Sequence, residues 1–179
     1  MVVGEYRKAS TSFFDTRYER HVIKLLPGDY YIALQQELLA TVLGSCLSLC
    51  LFDPVLKIGG MNHFMLPDYP KHNEPILTRY GGPAMNCVIE GLLEAGAVKS
   101  RLVVKLFGGA QGFKDSSALR IGESNIECAN RFLARHGLMC QAKDVGGRDA
   151  RRLLFFSGTG QVKMLRMAHT QRQSVEDRK

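Results

Sequence analysis

The stretch Cys46-Leu-Ser-Leu-Cys-Leu-Phe-Asp-Pro-Val-Leu-Lys-Ile-Gly-Gly-Met-Asn-His-Phe-Met-Leu-Pro67 decides how this chain folds. Cys46 to Phe52 is a short apolar run that stops at Asp53-Pro54, a pair that ends strands. Val55 to Lys57 makes a brief connection, and Ile58 to Leu66 reads as a second strand before Pro67. Two strands this close in sequence are placed to pair as a hairpin. Strands that follow one another directly, without an intervening helix, point away from a doubly wound parallel sheet.

The same reading extends outward. Upstream, Pro27-Gly28-Asp29 is a turn and Tyr30 to Leu34 a strand. The longest uncharged run, Leu38 to Phe52, is shorter than a bilayer span and contains Thr41, Gly44, Ser45 and Ser48, so it reads as buried core. Downstream, Asp68 to Thr78 is polar with two prolines and reads as a loop. Apolar residues at helical spacing predict a helix from Gly82 to Ala95, with Gly96 as its stop. Leu102 to Phe107 is a strand ending at Gly108-Gly109, and a second helix is expected from about Ser124 to His136. Met139 to Asp144, Arg152 to Phe156 and Gln161 to Met167 read as further strands, the last two joined by the turn Ser157-Gly158-Thr159-Gly160.

The expected fold class is α+β: a layered α/β sandwich with mixed or antiparallel sheets and two main helices. Residues 1–22 are expected to be a polar N-terminal extension, 23–168 a single domain, and 169–179 a solvated C-terminal tail. A length of 179 residues and a hydrophobic fraction of 45% suit one core of ordinary size.

Met1 to Arg20 carries charges of both signs and no continuous apolar segment, so no secretory signal is read there and a cytoplasmic location is expected. In a reducing compartment the five cysteines, an odd number, are expected to be free thiols. The net charge of +7 is compatible with nucleic acid, anionic membrane or an acidic protein partner. The basic residues are scattered, however, and form no basic helix or aromatic stacking strip, so nucleic acid is not expected as a partner.

Cys46 is the residue most suited to chemistry. Gly44 and Ser45 make a tight lead into the strand that begins there, which leaves the thiol at the rim of a sheet with backbone N–H groups nearby. His63 lies on the following strand, where a hairpin could return it beside Cys46 and lower the thiol pKa. The bland alternative is that Cys46 is a small buried hydrophobe and His63 a structural histidine, and spacing alone favours it. Cys87 and Cys128 fall on apolar helix faces, and Cys50 lies deeper in the strand of Cys46. Cys46, Cys50 and His63 are poor metal ligands together, because residues four apart in a strand are about 13 Å apart. Neither a metal nor a cofactor is expected. None of the glycine pairs makes a phosphate-binding fingerprint; Gly59-Gly60 and Gly108-Gly109 are expected to let backbone approach Cys46.

Several blocks resemble one family. Thr41-Val-Leu-Gly-Ser-Cys46, Phe52-Asp53-Pro54 and Gly59-Gly60-Met61-Asn62-His63-Phe64-Met65-Leu66-Pro67 are similar to the signature of the CheD family of chemoreceptor glutamine deamidases. Arg79-Tyr80-Gly81, Lys105-Leu106-Phe107-Gly108-Gly109-Ala110, Ile121-Gly122-Glu123-Ser124-Asn125 and Gly160-Gln161-Val162 agree, so the resemblance spans about Lys24 to Met167. It implies an amidohydrolase that converts glutamine side chains of chemoreceptor cytoplasmic helices to glutamate, with Cys46 as nucleophile and His63 as its base. It also implies a threonine just upstream of the cysteine as the third member of the site. Thr41 is the candidate, whereas a spacing one residue longer would fall on Ala40. A chemotaxis phosphatase is implied as a further partner. A non-catalytic adaptor that binds receptors or that phosphatase is the alternative.

Overall fold

A computed structural model describes residues 7–67, 75–111 and 116–167. In chain order the strands and helices are β1 (Ser12–Asp15), β2 (Arg20–Lys24), β3 (Tyr30–Ala33), β4 (Leu38–Leu43), β5 (Leu47–Asp53), β6 (Ile58–Asn62), α1 (Gly81–Glu94), β7 (Val103–Gly108), α2 (Ser116–Arg135), β8 (Cys140–Val145), β9 (Ala150–Phe156) and β10 (Gln161–Met167). The expected hairpin is β5 with β6, paired antiparallel from Cys50 opposite Met61 to Asp53 opposite Ile58. Asp53 makes its turn: one carboxylate oxygen accepts the Val55 and Leu56 N–H groups, the other the Val98 N–H and the Arg101 guanidinium.

Two five-stranded sheets result, ordered β1-β2-β4-β9-β10 and β3-β6-β5-β7-β8. Both are mixed, since β2 runs parallel to β4 and β7 parallel to β8 while the other neighbours are antiparallel. Strand alternation divides the core between two interfaces. Cys50, Phe52, Met61 and Phe107 of the second sheet pack on Leu39, Leu43, Leu153 and Phe155 of the first. Leu47, Leu49 and Leu51 point the other way, into a layer of Val88, Ile89 and Leu92 from α1 and Ala129 and Leu133 from α2. The layers are therefore sheet, sheet, helices, in line with the expected α+β sandwich. All seven residues of β5 are buried, as expected of a strand covered on both faces.

Several boundaries differ from the sequence reading, for physical reasons. Ser12–Asp15 and Arg20–Lys24, which fall in or overlap the segment read as a polar extension, form β1 and β2, because Val22 and Ile23 are buried in the first sheet. Leu38–Leu43 was expected only as buried core; it is β4, held between β2 and β9. The strand expected to reach Leu66 ends at Asn62, although Phe64 still bridges to Leu47. Helix α2 begins at Ser116, before the expected Ser124, and runs through Gly122. A Cβ there would lie 2.7 Å from the Gly109 carbonyl oxygen, so close packing accounts for the glycine that disguised the helix. Of the expected loop, residues 68–74 lie outside the described residues, as does the expected tail 169–179; Leu77–Arg79 is a short 3-10 turn.

Candidate active site

The chain crosses from the first sheet to the second at Gly44-Ser45-Cys46, between β4 and β5. Thr41, near the end of β4, and the first residues of β5 therefore face each other across the gap between the sheets. Thr41 sits opposite Leu153, both buried, so its hydroxyl points inward. That hydroxyl lies 2.8 Å from the Leu25 carbonyl and 2.8 Å from His63 Nδ1.

Counting protons fixes the tautomer. The Leu25 carbonyl can only accept, so it takes the one threonine O–H, and His63 Nδ1–H must donate to Thr41 Oγ1. Nε2 is then the unprotonated nitrogen, buried and without a hydrogen-bond partner among the described residues. The His63 backbone is fixed from the other side: its N–H donates to the Asp29 carbonyl at 2.8 Å, and its carbonyl accepts the Gly28 N–H at 2.7 Å. The Pro27-Gly28-Asp29 turn is thus a mould for the histidine, with Gly28 at φ +89°.

Cys46 and His63 share a face. Leu47 and Phe64 exchange both backbone hydrogen bonds at 3.0 Å, which sets the register. Cys46 then lies opposite Met65 and His63 opposite Ser48. These positions point to the same side as Cys50 and Met61, toward the first sheet. A diagonal pair of this kind has Cα atoms about 7–8 Å apart, within reach of long side chains. The Cys46 carbonyl accepts the Gly109 N–H at 2.8 Å, and the Gly44 carbonyl accepts the Ala110 N–H at 2.8 Å. Gly108, at φ +114°, passes so near that a Cβ would collide with the Cys46 carbonyl oxygen. Gly108-Gly109 therefore does admit backbone beside Cys46. Gly59-Gly60 does not: its added Cβ atoms would meet Phe155 and Leu51 at one residue, and Val88, Ile32 and the Tyr31 carbonyl at the other.

Burial sets the resting protonation. It pushes the Cys46 thiol above its ordinary pKa, against a smaller opposing effect of the cysteine's own N–H. It also pulls His63 down to about 4, opposed by the Leu25 carbonyl. The resting pair is thus a neutral thiol and a neutral imidazole, not the lowered thiol that proximity to histidine suggests from sequence. A neutral pair of this kind is able to transfer the proton in the same step as a sulfur attack. Burial also pushes Cys50, packed between the sheets, and Cys87 on α1 up to about 12.

Sequence reasoning singled out Cys46, His63 and Thr41 but not the Leu25 carbonyl, the Asp29 turn or Asn125. Asn125 is buried on α2, and its Nδ2 donates to the Ser45 carbonyl at 3.0 Å and the Met65 carbonyl at 2.9 Å. The only sequence signal for it was its place in the Ile121-Gly122-Glu123-Ser124-Asn125 block.

Comparison with known proteins identifies the family of this chain. A family model described as CheD chemotactic sensory transduction matches residues 65–166. A protein of Saccharophagus degradans is 41% identical over 164 residues, covering 87% of this chain and 74% of that relative. Relatives from Bordetella avium (41% identical, 90% of this chain and 72% of theirs) and Ralstonia nicotianae (42%, 94% and 73%) are similar. All three carry the name probable chemoreceptor glutamine deamidase CheD. By the family model and these relatives, the chain belongs to the CheD family.

Proposed function

We propose that this protein is a protein-glutamine deamidase that converts glutamine side chains on the cytoplasmic helices of chemoreceptors to glutamate, releasing ammonia, and that it works in the cytoplasm. The observation that carries the reading is the His63 imidazole, tethered through Nδ1 to Thr41 at 2.8 Å with Nε2 left free on the face it shares with Cys46. The relatives' name supplies the substrate class.

The chemistry follows from the groups present. Cys46 Sγ attacks the glutamine side-chain carbonyl carbon while His63 Nε2 takes the thiol proton. The carbonyl oxygen, now carrying the negative charge, accepts hydrogen bonds from backbone N–H groups near Ser45 and Cys46. The C–N bond breaks as the imidazolium returns its proton to the leaving nitrogen, giving ammonia and a thioester on Cys46. Water, deprotonated by His63, then attacks the thioester, and glutamate and the free thiol are released. Thr41 holds the ring in the tautomer that leaves Nε2 as the base. No described helix is long and apolar enough to cross a membrane. Family resemblance adds a chemotaxis phosphatase as a second protein partner.

The test is ammonia release from a purified receptor cytoplasmic fragment. Wild-type protein is expected to release ammonia in step with the glutamine lost. A fragment library that yields none, while an established deamidase acts on it, would remove the reading.

A further inference from the structure

We propose that Asn125 is a positioning residue for the nucleophile: from α2 it grips the carbonyls that flank the site and aims the Cys46 N–H at the reacting oxygen. The inference rests on the deamidase reading and deepens it, because it adds a residue from the helical layer to a site otherwise built by the two sheets.

Two carbonyls meet at one amide. Asn125 Nδ2 donates to the Ser45 carbonyl, whose carbon is bonded to the Cys46 nitrogen, and to the Met65 carbonyl, two residues beyond His63. A side-chain amide has two N–H donors, and both are used, so its orientation is fixed. Its oxygen, buried like the rest of the residue, has no partner among the described residues. Evidently the nitrogen end is what the position requires.

The consequence follows from peptide geometry. The described chain contains no cis peptide bond, so the Ser45 carbonyl and the Cys46 N–H point in opposite directions across one planar unit. A carbonyl turned toward α2 turns the Cys46 N–H away from α2 and toward the gap between the sheets. That is where the oxyanion must be held when the sulfur adds to a carbonyl. The same N–H opposes the burial that pushes the Cys46 thiol up. The neighbouring atoms leave little freedom: Gly109 N–H holds the Cys46 carbonyl, and Gly122, one turn before Asn125, lets α2 press on Gly109 and Ala110. The Met65 end of the clamp ties the same helix to the segment carrying His63. Asn125 thus sets the separation of nucleophile and base without touching substrate.

The test compares Asn125→Ala with Leu133→Ala, a core truncation lower on α2, using steady-state deamidation of a receptor fragment and the pH profile of Cys46 alkylation by iodoacetamide. For Asn125→Ala, kcat is expected to fall about 10²-fold, the scale of a small misplacement at a reacting centre, with KM changed less than about threefold. Its alkylation profile is expected to move to higher pH, because the thiolate loses an aligned N–H. Leu133→Ala, which loosens the core under α2 but keeps both Asn125 hydrogen bonds, is expected to keep the wild-type profile and kcat. Should Asn125→Ala not fold, Asn125→Ser, which reaches at most one carbonyl, takes its place with the same expectations. A kcat within about threefold of wild type, an unmoved alkylation profile, or equal losses in the Leu133 variant would overturn the proposal. If wild type itself fails to deamidate, the functional reading falls, and the alkylation profile still decides whether Asn125 aims the N–H.

Discussion

Thr41 shows how much one hydroxyl does. It donates to Leu25 and accepts from His63, and thereby leaves Nε2 as the unprotonated nitrogen. Replacing it with valine keeps the shape and removes both bonds. Thr41→Val is expected to lower kcat by up to about 10²-fold with little change in KM, because the ring loses its tautomer and orientation rather than its place. Steady-state kinetics on a receptor fragment would show it; an undiminished kcat would take Thr41 out of the site. His63 also links the site to stability. Its folded pKa, near 4, lies below the unfolded value near 6.5, so the unfolded chain binds the extra proton between these limits. The associated stability is fully present above about pH 6.5 and is lost as pH falls through 4, by roughly 3 kcal/mol. Asp29, raised by burial, has the opposite sign: what it contributes is lost as pH rises through its folded pKa. The difference between proteins is therefore the informative quantity. Urea midpoints for wild type should decline from pH 6.5 to 4 more steeply than those of His63→Gln; parallel curves would contradict the burial argument.

At the scale of elements, the decisive feature is the pair of glycines that ends β7. Gly108 combines a φ of +114° with a Cβ position that collides with the Cys46 carbonyl oxygen, and that neighbour is backbone, which cannot swing aside. Gly108→Ala is expected to destabilise the fold by more than about 2 kcal/mol and to cost activity even where folded protein is recovered. Gly82→Ala, which would meet nothing within 4 Å, serves as the control. Thermal melts and turnover of the two variants would separate them, and similar behaviour would show that β7 can yield. The same elements explain what could be read in advance. The β5–β6 hairpin was legible because Asp53-Pro54 punctuates an apolar run, and with it came Cys46 and His63 on one face. Strand β4 was not, since Leu38–Leu43 is a continuous apolar run whose periodicity does not tell strand from buried helix. Thr41 could therefore be tied to His63 only through resemblance. The start of α2 was hidden by Gly122, and with it the reason for Asn125: neither has a local signature, because each answers to a contact with residues distant in sequence.

Over the whole molecule, the charge of +7 gains a purpose if the partner is an acidic receptor helix. Opposite charges steer encounter and are screened beyond about 10 Å at 0.1 M salt. Raising ionic strength from 0.05 to 0.5 M is expected to lower kcat/KM on a receptor fragment by roughly tenfold, mostly through encounter, with kcat at saturation nearly constant. Salt-independent kcat/KM would mean that the basic surface serves something else. The layering also gives the site its division of labour. On the proposed reading the first sheet supplies Thr41, the second supplies Cys46 and His63, and α2 braces the crossing between them through Asn125.

The most direct test of the whole account is site-resolved mass spectrometry of a chemoreceptor cytoplasmic fragment after exposure to wild type, Cys46→Ala and His63→Gln. Wild type is expected to add about one dalton at particular glutamines, the signature of amide-to-acid conversion, while Cys46→Ala leaves every glutamine intact and His63→Gln converts them far more slowly. Conversion by folded Cys46→Ala at the wild-type rate would contradict it.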